Sequence, residues 1–209
     1  MNSKTMKAFH GDVAIKAKYI GRVLAHAEAD QIIHGKYWEN GKGCAVGCTI
    51  HGRDHMAYER EGIAPVMLAR LEDRLFEGMT NGRAKQFPLQ FLSAIKVGAD
   101  LSLVGWKFLH WLLTEELAGR DDPRVAAAIK RCADVLVPLT KGEPADKEEA
   151  RNAAYATYVA NAATYAANAT YVATAATRSK AYERMADKLL ALMWECEGQE
   201  PIVAMGVMI

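Results

Sequence analysis

Between His34 and Glu61 the helical rhythm of this chain stops. The segment reads HGKYWENGKGCAVGCTIHGRDHMAYERE and carries glycine at Gly35, Gly41, Gly43, Gly47 and Gly52. Glycine in a helix interior costs about 1 kcal/mol against alanine, so Gly41-Lys42-Gly43 is a poor place for a helix to continue. The stretch also holds Cys44 and Cys48 of the chain's four cysteines, and His34, His51 and His55 of its six histidines. Any fold must therefore carry a glycine-, cysteine- and histidine-rich insertion between early helices.

On either side the pattern is helical. Ile15, Tyr19, Val23 and Ala27 recur at helical spacing and predict a helix over Asp12 to Ile33 with Asp12 as its cap. Cys44 to Ile50 reads as a short helix, and Asp54 as the cap of another over His55 to Glu61, stopped by Gly62. Pro65 opens a helix with Val66, Leu68, Leu71, Leu75 and Phe76 on its apolar face, ending at Gly78. Thr80 to Ala84 reads as a loop and Pro88 to Ile95 as a short helix. The run LSLVGWKFLHWLLTEELAG, apolar on most faces, predicts one central helix ending at Gly119. A further helix follows over Arg124 to Leu139.

Beyond the linker Thr140 to Asp146 alanine takes over. ATYVANAAT at Ala156 to Thr164 returns as ATYVATAAT at Ala169 to Thr177, an offset of thirteen residues. That offset matches neither the seven- nor the eleven-residue period of a supercoil seam. It predicts a long alanine-rich helix that packs closely or self-associates, making a homo-oligomer. Ser179 to Cys196 closes the fold, and Pro201 to Ile209 is an apolar tail. The expectation is a single all-α domain over residues 1–209. Its helical core spans 9–139, with the alanine-rich and closing helices of 146–196 packed upon it.

Lysine and arginine number 26 against 25 aspartates and glutamates. So even a balance gives no field for a polyanion, which argues against nucleic acid as a partner. The most apolar region, Phe87 to Leu113, is interrupted by Lys96, Asp100 and Lys107 and does not read as a membrane span. MNSKTMKAFHGD lacks the apolar stretch of a secretory signal. Four cysteines do not make a disulfide scaffold, so a reducing, cytoplasmic setting is expected, with thiols free for a metal or for chemistry.

Cys44, Cys48, His51 and His55 are spaced C-x3-C-x2-H-x3-H. On one ideal helix they would form a narrow stripe, and Cys44 and His55 would stand about 16 Å apart. A metal set of these four, with zinc as the ion, therefore requires the glycines to fold the backbone round. Zinc fingers place a far longer spacer between their pairs. The plainer alternative makes both cysteines small buried hydrophobes. A third reading is a recess for an anion: Lys42, Gly43 and the start of the short helix hold a phosphate or carboxylate, walled by Trp38 and Tyr37, with His55 among the ligand-binding residues. In its catalytic form Cys44 is the nucleophile or metal ligand, and His51 or Glu72 moves a proton. That makes a cysteine- or metal-dependent hydrolase or transferase. Glu72 and Asp73, adjacent on a helix, diverge by about 100° and read first as a surface ion-pair or capping group.

The segments KYWENGKGCAVGCTIHG, LARLEDRLFEG and FLSAIKVGADLSLV resemble an uncharacterised family of phage, prophage and bacterial proteins, over roughly Phe9 to Leu113. The resemblance implies a compact intracellular accessory protein. It would bind a small anionic or nucleotide-like ligand, or engage a host protein of the defence machinery. It brings no activity and no catalytic residue with it.

Overall fold

In the computed structural model, residues 6–117, 122–152 and 175–199 are described. The fold is mostly α, as expected, with one two-stranded hairpin among the described residues. The chain divides into two compact units, Met1–Ser102 with Arg178–Ile209, and Leu103–Thr177. The stretch 9–139 is thus shared between them.

The first unit begins with a left-handed turn, in which Phe9 and His10 both have φ 53° and Phe9 is fully buried. Helix α1, Val13–Glu28, starts where the sequence predicts, because Asp12 accepts the Ala14 N–H at 2.7 Å. It stops short of Ile33. Asp30 turns left-handed, and Ile32 forms a bridge with Gly43 instead of extending the helix. The glycine-rich segment then opens with a hairpin, β1 (Trp38–Glu39) against β2 (Lys42–Gly43). Its turn is Asn40-Gly41, with φ 51° and 78°. Positive φ at both positions is what a tight two-residue hairpin requires, and Asn-Gly supplies it at least strain.

Helices α2 (Ala45–Ile50), α3 (Ala57–Arg60) and α4 (Val66–Gly78) follow close to their predicted places. Asp54 does not cap the second of these, whose first residue is Ala57; it accepts the Met56 N–H in the turn just ahead of it. Helix α5 corrects the sequence reading: it runs Asn81–Ala94, through the expected loop and across Pro88. Proline there removes one helical hydrogen bond, while Ala84, Phe87, Phe91 and Leu92 are buried and hold the helix to its neighbours. Helix α1 packs on α5 and α2, and α4 packs on α2, α3 and α5. Tyr19, Val23, Leu68 and Phe76 fill the space between.

The final described helix, α8 (Ala175–Trp194), enters this unit from Arg178. Thr80 and Arg83 bind its Glu183 and Asp187. Its Tyr182 ring lies where a Cβ on Gly78 would come within 2.3 Å.

In the second unit the long apolar run forms α6, Val104–Trp111, and then loosens into a π turn over Leu112–Glu116. It is not one regular helix. Trp111 Nε1 donates to Glu115 across that change. Helix α7, Pro123–Leu139, packs on both and is capped by Asp122. The first nonamer, the first six residues of the second and the apolar tail lie outside the described residues. Among the described residues no helix is long and apolar enough to cross a membrane.

Candidate metal centre

The glycines of the insertion serve close approach rather than flexibility. A Cβ on Gly43 would come to 2.2 Å from the Tyr37 carbonyl oxygen, and one on Gly47 to 1.4 Å. The Tyr37 carbonyl is thereby seated directly against α2. This seating fixes Tyr37, just before β1, and Trp38, its first residue, toward different partners. The Tyr37 ring meets His55 edge-on, with centroids 5.6 Å apart, whereas Trp38 stacks flat on His51 at 4.5 Å.

Cys44 stands in extended conformation as the residue before α2, and its thiol is buried. Its Sγ points at α4, where it lies 3.2 Å from Asp73 Oδ1. Glu77, one turn further along α4, completes the group. Ligand atoms of Cys44, Asp73 and Glu77 all lie within 4.8 Å of one another, an arrangement that could hold a metal ion. Both Glu77 oxygens accept from the Gly35 N–H, at 3.0 and 2.9 Å, which steadies the outermost member.

The cluster runs from the interior to solvent: Cys44 is buried, Asp73 is half-buried and Glu77 is exposed. His55 adjoins it, with Nε2 3.3 Å from Asp73 Oδ2. That contact is within ion-pair reach but lacks the alignment of a hydrogen bond. Among the described residues this buried nitrogen has no hydrogen-bond partner.

Beneath the cluster lies Glu72, fully buried, with Oε2 accepting from the Tyr58 hydroxyl at 2.6 Å and Oε1 without a hydrogen-bond partner among the described residues. Burial pushes its carboxyl up to about 8, with the neighbouring Asp73 charge adding to the shift. The carboxyl is therefore largely neutral at pH 7. Burial, and then the Asp73 carboxylate, hold the Cys44 thiol far above the ordinary thiol range, although the Gly47 N–H works the other way.

The four residues of the C-x3-C-x2-H-x3-H pattern do not converge. A stripe requires one continuous helix, and the backbone departs from it at extended Cys44 and at left-handed His51. Cys48 turns into the interior toward the Gly43 and Gln31 carbonyls, and burial pushes its thiol up to about 12. The His51 ring faces His26, with the two Nε2 atoms 2.8 Å apart. Only Cys44 and His55 of that set border the cluster. His34 is also elsewhere, bonded to the Phe76 carbonyl at 3.0 Å.

Of the expected anion-binding group, Lys42 is exposed on β2 opposite Glu39. The Gly43 N–H is taken by the Gln31 carbonyl and the Cys44 N–H by that of Lys36. Those two groups are not among the donors an anion could use.

Asp73 and Glu77 are not among the candidate ligands that the sequence singles out. Their spacing of four residues on a helix places both on one face, and that was the signal available. Comparison with protein-family models, curated proteins and solved structures found no match.

Proposed function

We propose that this chain binds a divalent ion of the zinc class through Cys44, Asp73 and Glu77, and that the centre serves metal-assisted hydrolysis. The observation that carries this reading is the convergence of one thiol and two carboxylates from two elements within 4.8 Å. Zinc bonds of about 2.3 Å to sulfur and 2.0–2.2 Å to oxygen require only a modest closing of that triangle. Three protein ligands and an open fourth position are the habit of catalytic rather than structural zinc sites. The exposed Glu77 side gives water a route to that position. A bound ion would supply a water acidified toward neutral pH. His55, whose Nε2 adjoins Asp73, is the base that would take the water's proton. A small anionic or nucleotide-like compound would suit such a centre as substrate, since an ion of this class also polarises a phosphoryl oxygen.

The raised thiol suits this reading. An ion replaces the Cys44 proton and supplies the positive charge that the buried sulfur lacks. The test is a zinc titration of the full chain, followed by competition with a chelating dye. One equivalent should bind, and Cys44→Ala, Asp73→Asn and Glu77→Gln should each weaken binding tenfold or more. Affinity unchanged from that of the unsubstituted chain in all three variants would end the proposal.

A further inference from the structure

Two histidine nitrogens meet outside that cluster. His26, near the end of α1, and His51, at the end of α2, bring their Nε2 atoms to 2.8 Å. The Gln31 side-chain oxygen lies 2.7 Å from His26 Nδ1. An amide oxygen only accepts, so His26 Nδ1 carries the proton and its Nε2 presents a lone pair. A histidine whose other ring nitrogen is held in this way is the usual form of a metal ligand. The His51 ring is steadied on Trp38, at 14° to the indole plane, and is exposed.

We propose that His26 and His51 form a second ion site, a two-imidazole seat for a copper(II)- or nickel(II)-class ion. Metal–nitrogen bonds of about 2.0–2.1 Å place two neighbouring ligands of a square-planar ion about 2.9 Å apart, and those of a tetrahedral ion about 3.3 Å apart. The ion-free pair, at the 2.8 Å of a hydrogen bond, already stands close to the square separation, so little change of distance is needed. To receive the ion the rings tilt so that both lone pairs aim at one point, a motion the exposed His51 ring permits.

In the neutral pair His51 Nε2–H donates to His26. The ion takes the place of that proton, which passes to solvent while His51 Nδ1 gains one, so the neutral pair releases none overall. Burial, then the Arg22 guanidinium and His26, keep His51 below the ordinary histidine range and so ready as a ligand. Arg22, bonded to the Thr49 carbonyl at 2.7 Å, is also the cation facing this site. It disfavours ions bound by charge alone, such as magnesium, and leaves those that bond strongly to neutral nitrogen.

The experiment uses the full chain carrying Cys44→Ser, so that the outcome does not depend on the first centre. Nickel(II) affinity is measured by calorimetry, and substoichiometric copper(II) is examined by electron paramagnetic resonance. The expected result is one ion with two coupled imidazole nitrogens and quenching of the fluorescence that Trp38→Phe removes. His26→Gln and His51→Gln should each weaken nickel at least tenfold, and Gln31→Leu about tenfold through the ring it orients. Melting temperatures show that each variant is folded. A single-imidazole spectrum, or nickel affinity unchanged in both histidine variants, overturns the proposal.

Discussion

Asp73 stands between the Cys44 thiol and the His55 imidazole, with Oδ1 3.2 Å from the sulfur and Oδ2 3.3 Å from Nε2. In a cysteine–histidine nucleophile the imidazole adjoins the thiol and takes its proton. Here a carboxylate intervenes, and its charge joins burial in holding the proton on sulfur. This geometry suits the proposed role of Cys44 as a ligand better than that of a free nucleophile. Iodoacetamide labelling, read at the Cys44 peptide, should stay far slower than a free thiol's at pH 8. Asp73→Asn should speed it, by removing the nearby negative charge, and zinc should suppress it in the unsubstituted chain. Ordinary thiol reactivity at neutral pH would contradict this account.

Gly47 bears on the same geometry from the other side. A methyl group there would sit 1.4 Å from the Tyr37 oxygen, which is backbone and cannot swing aside. Overpacking of this kind costs about 1–3 kcal/mol or more. Gly47→Ala should lose at least about 2 kcal/mol in urea unfolding and should weaken zinc binding as the hairpin shifts. Gly52→Ala is the control. Its nearest neighbours are Ile50 atoms 3.8 Å or more away, so its stability should stay within about 0.5 kcal/mol.

Glu72 predicts a pH dependence of known sign. Its carboxyl titrates at about 8 in the fold, above the ordinary 4.5. The folded chain therefore holds that proton more tightly than the unfolded one. Its stabilising effect is complete below about 4.5 and is lost as pH rises through about 8. Glu72→Gln keeps an oxygen for the Tyr58 hydroxyl and removes the ionisation. It should gain on the unsubstituted protein between pH 6 and 9, by roughly 1–3 kcal/mol at the upper end. Parallel unfolding curves across that window would show that Glu72 is not buried as described.

What the sequence revealed and what it hid follow from the range of the interactions. Asp12 and Pro65 act within a few residues of themselves, so their helix starts could be read directly. Asn40-Gly41 is an equally local signal for a hairpin, obscured in the sequence by the other glycines around it. Pro88 misled because tertiary burial of Phe87 and Phe91 outweighs the one bond it removes. Of the four residues that the insertion groups by spacing, Cys44 and His55 are the two that the fold brings to Asp73. Asp73 and Glu77 are supplied by α4, some thirty residues on, and no spacing within the insertion points to them. His51 and Cys48 were grouped with Cys44 by a helical stripe that the backbone does not keep.

Lys16 offers a test of the first unit's interior away from either proposed site. It is fully buried on α1, and its Nζ donates to the carbonyls of Ser93 at 2.9 Å and Ile95 at 2.6 Å, at the end of α5. Helix ends leave such carbonyls without partners, so this one amine satisfies two of them. Lys16→Met keeps the aliphatic stem and strips both bonds. Each abandoned buried carbonyl costs about 1–3 kcal/mol, which puts the expected loss for the two at roughly 2–6 kcal/mol. Burial also lowers the amine from 10.5 to about 8. The unfolded chain then binds that proton more tightly. The neutral amine's contribution is complete above 10.5 and is lost as pH falls through about 8. Since the neutral amine still donates both bonds, the stability gap between the unsubstituted chain and Lys16→Met should widen from pH 7.5 to 9.5. It can do so by no more than about 1.4 kcal/mol per pH unit. Chemical unfolding of both proteins across that range reads the slope. A gap that narrows with rising pH would mean that the buried amine stays charged and that its two carbonyls outweigh its desolvation.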